Sequence, residues 1–198
     1  GAGSDTLKLQ ESFTGKSPLE TAFGHAVLLR RIDAWAQGGV QYNFGFHHLV
    51  GNDEVVWEAP GYEVPCVTLT RFGFREYHST SDTSAIMEPT YLEESVEVCL
   101  SALDVLESNS YLYRNFEGLP CLSNPALDLY QPMADPSIQD GKRSRDWHDL
   151  MSYLPRYLDG RVAVSDIATR HNLPYRDVLT YIRRWEEKGL LRREPVVR

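Results

Sequence analysis

Apolar and polar positions along the first 110 residues switch between helical and extended spacing. Leu7 to Gln10 alternates over a short run and predicts a strand. Pro18 to Arg31 predicts a helix: Ser17 is the N-cap, Pro18 takes the first helical position, and Glu20 stands at capping-box spacing. Its apolar face is Leu19, Ala22, Phe23, Ala26 and Val27. After the Gly38-Gly39 break, Val40 to Val50 alternates as a strand does. Gly51 to Glu54 and Ala59 to Gly61 are turns around the short apolar run Val55-Val56-Trp57. Val64 to Leu69 carries few charges, which predicts a strand buried on both faces of a parallel sheet. Gly73 to Asp82 is a loop. Pro89 to Glu107 is the strongest helix, with Leu92, Val96, Cys99, Leu100, Leu103 and Leu106 in one stripe. The expectation is an α/β domain over residues 5–110 with a partial, mainly parallel sheet.

Turn residues crowd positions 111–144, predicting an irregular connector. Helical spacing returns over Asp146 to Leu158. A second helix starts at Ser165, taken as its N-cap, and Asn172-Leu173-Pro174 turns into a third, Pro174 to Lys188. Val178, Leu179, Ile182 and Trp185 line one face of the third, and Gly189 closes it. Leu190 to Arg193 reads as the first strand of a small wing. The run Val164-Ser165-Asp166-Ile167-Ala168, the Leu173-Pro174 turn and the helix ending Glu186-Glu187-Lys188-Gly189-Leu190-Leu191 resemble winged helix-turn-helix domains, which places such a domain at 145–198.

Charge marks the same boundary. The net charge of −8 divides into −13 over residues 1–140 and +5 over 141–198. No apolar run approaches the roughly 20 residues that span a bilayer, so no membrane role is expected. Three sparse cysteines and no CxxC pair fit reduced thiols in a cytoplasm. Residues 1–4, Gly-Ala-Gly-Ser, read as an expression scar and are set aside.

Candidate chemistry concentrates in the loop from Glu76 to Asp82. Loops that follow buried strands are where α/β proteins place reactive groups. His78 stands there with Asp82 close in sequence, a carboxylate suited to orient its second ring nitrogen as the partners of zinc-bound histidines do. His47 and His48 cannot act as a pair, because neighbours on a strand point to opposite faces.

The stretch from Gly51 to Arg71, with Asp53-Glu54, Pro60-Gly61 and Val64-Pro65, followed by Glu76-Tyr77-His78-Ser79-Thr80-Ser81-Asp82, resembles the end of the catalytic domain of co-catalytic zinc aminopeptidases. The likeness is greatest to bacterial aminopeptidase-like proteins with a C-terminal winged helix, and Ser123 to Tyr130 resembles their link between the two parts. The resemblance implies zinc as cofactor, His78 as a metal ligand, and Asp53, Glu54, Tyr77 and Asp82 along a pocket for a peptide or amide substrate. The rest of that family's ligand set and its glutamate base belong to sequence that precedes anything matched here. One acidic ligand falls near Asp5.

Two readings follow. In the first, the chain is an aminopeptidase-like segment that is inactive alone and works as a homo-oligomer or with a complementing chain. In the second, it is a non-enzymatic regulator whose winged helix binds DNA or protein. Arg176, Thr180, Arg183 and Arg184 on the third helix and Arg192 and Arg193 on the wing would meet nucleic acid. Asp177, Glu186 and Glu187 on that helix would oppose phosphates.

Overall fold

The computed structural model describes residues 7–13, 18–32, 40–44, 48–49, 51–131 and 141–196. The chain divides into two compact units, Gly1–Leu106 and Glu107–Arg198. Among the described residues no helix is long and apolar enough to cross a membrane.

The first unit orders β1 (Leu7–Gln10), α1 (Pro18–Ile32), β2 (Val40–Phe44), α2 (Glu54–Trp57), β3 (Thr68–Thr70) and α3 (Pro89–Ser108), the last running just past the boundary. Its strands stand in the order β2-β1-β3. β1 and β2 are parallel, as a crossover through α1 allows. β3 runs antiparallel to β1, pairing Lys8 with Thr70 and Gln10 with Thr68. Leu7, Leu9, Ala22, Phe23 and Ala26 pack the core between β1 and α1. Ser17, the predicted cap of α1, lies outside the described residues, as do Asp5 and His47. Glu20 accepts the Ser12 N–H at 2.7 Å, tying the start of α1 to the end of β1.

The expected mainly parallel sheet is corrected on two counts. Among the described residues only the β1–β2 ladder is parallel. The run Val64 to Leu69 is also not a strand buried on both faces: its strand is only Thr68–Thr70, all three residues half-buried, and Val64 is exposed. The scarcity of charge there reflects a pocket wall rather than a sheet centre.

α3 holds a second departure. Its inward face is Glu94, Val98, Ala102 and Val105. The carboxylate of Glu94 pairs with Arg71, and the Arg71 guanidinium sits 4.3 Å from the centroid of the Tyr91 ring. The larger apolar side chains Leu92, Val96, Leu100 and Leu103 turn outward.

The second unit contains β4 (Ser110–Arg114), α4 (Gly141–Tyr157), β5 (Asp159–Ala163), α5 (Val164–Arg170), α6 (Tyr175–Glu187) and β6 (Leu191–Pro195). The strands form an antiparallel sheet in the order β5-β4-β6. Ser110–Arg114, which opens the stretch read as connector over 111–144, is therefore the central strand. Gly160 has φ +79, and a Cβ there would fall 2.3 Å from a ring atom of Tyr113, so a larger residue would strain the backbone and displace that ring where β5 meets β4. α5 begins one residue before Ser165, and its first turn is held from elsewhere. Asn109 accepts the Ser165 N–H and donates to the Ser165 hydroxyl, while Asp166 accepts the Ala163 N–H. α6 ends in a Schellman arrangement, with Leu190 N–H on Trp185 O, Gly189 N–H on Glu186 O, and Gly189 at φ +69. Leu112, Leu150, Leu154, Ile167, Val178, Ile182 and Trp185 fill the core.

Candidate functional site

In the first unit α2, β3 and the loop after β3 enclose an open pocket of about 680 Å³. Four of the residues singled out in the sequence, Asp53, Glu54, Tyr77 and Asp82, line it. Trp57, Phe72, Phe74 and Met87 supply apolar wall, and Cys66 sits in the floor. The lining carries three carboxylates and no basic side chain, which gives the pocket a negative field.

The acidic pair is divided in role. Glu54 is buried and its carboxylate accepts the Asn52 N–H at 2.9 Å, bracing the turn into α2. Asp53 makes no side-chain cap to α2 and is exposed at the pocket. Its carbonyl accepts Val56 N–H at 3.0 Å.

Glu58, which no sequence pattern marked, fixes the pocket's shape. It is buried, and its two carboxylate oxygens accept the N–H groups of Phe13 at 2.7 Å and Cys66 at 2.8 Å. One side chain thus joins the segment after β1, α2 and the approach to β3. Burial pushes the Cys66 thiol up, and the nearby carboxylates of Glu58 and then Glu54 add to it. A thiol held protonated is a weak nucleophile, so Cys66 acts here as wall.

The loop after β3 is braced locally. Lys8 donates to Phe72 O at 2.7 Å beside Gly73, whose φ is +109. Tyr77 packs edge-on against Phe72 and Phe74 at 5.0 and 5.6 Å. The Ser79 N–H and hydroxyl both donate to Glu76 O, and Asp82 N–H donates to Ser79 O. His78 occupies the left-handed region at φ +58, in the turn so formed, and its ring stacks on Tyr77 at 3.9 Å. It is exposed and does not line the pocket itself. The expected hydrogen bond between Asp82 and His78 is not made. Asp82 faces the pocket, and the recorded contact of the imidazole is with the Tyr77 ring.

Zinc sites use three or four protein ligands. Among the described residues no three His, Cys, Asp or Glu side chains converge to hold a metal ion. His78 with its present neighbours therefore does not fit a zinc centre.

In the second unit the predicted basic surface is largely spent on internal contacts. Arg184 bonds Asp128 O and stands 3.7 Å from the Asp128 carboxylate. Arg193 pairs with Glu186 at 2.7 Å. Arg192 pairs with Glu194 and lies 4.3 Å from the centroid of the Tyr113 ring. The Thr180 hydroxyl bonds back to Arg176 O at 2.8 Å. Arg176 and Arg183 are exposed on α6. The segment Ala126 to Gln131 lies along this helix: Lys188 reaches Ala126 O at 3.1 Å, Tyr181 donates to Leu129 O at 2.9 Å, and Leu129 is fully buried.

Comparison with known proteins agrees with the fold. Residues 20–109 match a family model described as a domain of unknown function, DUF4910. A crystal structure of a protein from Clostridium acetobutylicum, provisionally described as a peptidase, superposes with a TM-score of 0.70 at 19% identity. The match covers 98% of this chain and 40% of that one, so the chain spans less than half the length of its structural relative. No curated protein matches. The chain thus shares the fold of that structure.

Proposed function

We propose that the first unit forms one wall of a peptidase-like site for a peptide or amide substrate. The observation that carries this reading is the single pocket that collects Asp53, Glu54, Tyr77 and Asp82 from two separate segments. Its carboxylates and aromatic wall suit a substrate end bearing an amine beside an apolar side chain. The likeness to a protein described as a peptidase supports the same reading.

In this reading His78 is a metal-ligand position of this segment, and the remaining ligands and the general base would come from polypeptide outside these 198 residues. Zinc, bound by such a completed set, would supply Lewis-acid activation of a water and of the scissile carbonyl. Alone, the chain is not catalytic. The three free thiols suit a reducing, cytoplasmic setting.

The test is metal analysis of the purified chain together with an assay of amino-acid amide hydrolysis. The expectation is substoichiometric zinc and no hydrolysis above the blank. Tight stoichiometric zinc that is lost in His78→Ala, with turnover, would overturn the claim of incompleteness.

We also propose that the second unit is a winged helix-turn-helix variant, with α5 and α6 as its helix pair and β4 supplied from upstream as the middle strand. The internal pairing of Arg184, Arg192 and Arg193 supports a packing or protein-contact role over DNA reading. Duplex DNA at low salt should not be retarded by the chain. Salt-dependent binding weakened by Arg183→Ala would favour the nucleic-acid role instead.

A further inference from the structure

Phe72, Phe74 and Tyr77 are three of the aromatic rings that line the pocket, and Tyr77 meets the other two in edge-to-face contacts. Tyr77 is also 44% exposed, so those two contacts hold only part of its ring. The His78 imidazole lies flat on the same phenol, with the centroids 3.9 Å apart and the planes 19° from parallel. Among these four rings His78 is the one outside the pocket lining, and it meets the pocket through Tyr77.

The backbone at His78 is left-handed, with φ +58. Glycine takes that conformation at no steric cost, and asparagine tolerates it well. The turn itself is closed without the imidazole. The Ser79 N–H and hydroxyl both reach Glu76 O, and the Asp82 N–H reaches Ser79 O. What the histidine adds to this turn is therefore its ring, laid against a pocket wall. A wall already held in place loses less side-chain freedom when a ligand arrives.

We propose that His78 is a positioning residue for the pocket: its imidazole backs Tyr77 and holds that wall in the orientation a substrate end meets, with no metal required. The inference rests on the pocket's receiving a peptide or amide end, and it gives His78 a task distinct from metal ligation.

The test follows leucinamide binding by nuclear magnetic resonance, with the full chain kept metal-free by a chelator. His78→Asn suits the left-handed backbone and has no ring to stack. It should weaken leucinamide about threefold or more, the scale of one lost ring contact. It should also shift the Tyr77 ring protons, which sense an overlying aromatic ring. His78→Phe keeps a ring and removes both nitrogens, and should bind within about twofold of the unmodified chain. Amide spectra check that each variant is folded, and His78→Tyr is the ring-bearing variant should His78→Phe fail to fold. Saturable binding by the unmodified chain that His78→Asn leaves unchanged would overturn this inference and leave the pocket reading standing. Equal weakening by His78→Asn and the ring-bearing variant would also overturn it, by assigning the effect to the imidazole nitrogens. No saturable binding by the unmodified chain would overturn the pocket reading, and this inference with it.

Discussion

The phenol of Tyr181 donates to the backbone carbonyl of Leu129 across 2.9 Å, with both residues sealed from solvent. Fifty-two positions of sequence separate them, so the bond fastens the Ala126 to Gln131 segment onto α6. Trp147 packs edge-on against the same ring at 5.7 Å, and burial raises the Tyr181 hydroxyl above its ordinary value. Tyr181→Phe preserves the ring and strands a buried carbonyl. It should cost about 1–3 kcal/mol in urea unfolding. Limited proteolysis between Cys121 and Gln131 should quicken in the variant. Unchanged unfolding and cleavage would show that the segment is held by other contacts.

Arg71 and Glu94 form a buried ion pair linking the end of β3 to α3. Glu94→Ala leaves the guanidinium buried without its countercharge. The expected loss is about 3–5 kcal/mol in the first unit's stability. Arg71→Met/Glu94→Leu removes both charges and should restore much of that loss. The comparison of their urea midpoints decides the matter: a double variant no better than Glu94→Ala would mean the pair itself, rather than the orphaned charge, carries the stability.

His171 is buried at the end of α5, 3.1 Å from the Tyr157 hydroxyl and beside Tyr153. Burial lowers its pKa, with Arg170 adding to the shift and the carboxylates of Asp149 and Asp146 opposing it. The folded state therefore resists a proton that the unfolded chain accepts. The stability from neutral His171 is full above the unfolded value of about 6.5 and falls as pH drops through it toward the lowered folded value. The urea midpoint of the second unit should decline from pH 7.5 to pH 5.5, and His171→Gln should flatten that slope. An equal slope in the variant would assign the pH dependence to other groups.

How far the sequence revealed these features depended on whether the determining contacts were local. The helices showed in their spacing, and Gly189 marked the end of α6 because a left-handed C′ residue is a local need. Asp53, Glu54, Tyr77 and Asp82 were legible because two short segments carry them. Glu58 was not, since its partners Phe13 and Cys66 lie 45 and 8 residues away. The direction of β3 was misread because a low-charge run looks alike in a parallel strand and in a pocket wall. The orientation of α3 was hidden for a related reason: periodicity finds an apolar face but does not say which of two such faces turns inward. The fate of the arginines on α6 and β6 likewise depended on Asp128, distant in sequence from the helix it serves, and on pairings with Glu186 and Glu194.

The pocket is the centre of the account, and nuclear magnetic resonance titration of the isotope-labelled chain with leucinamide tests it most directly. The amide should shift resonances of Asn52 to Glu54, Cys66 to Thr70 and Phe72 to Tyr77 in a saturable way, and Asp53→Asn/Asp82→Asn should weaken it about tenfold, since each lost carboxylate removes attraction for the ammonium. The isosteric 4-methylpentanamide, which lacks the amine, should bind far less. Shifts scattered over the surface or confined to the second unit, or equal binding of the two amides, would contradict the claim that this pocket receives a peptide end.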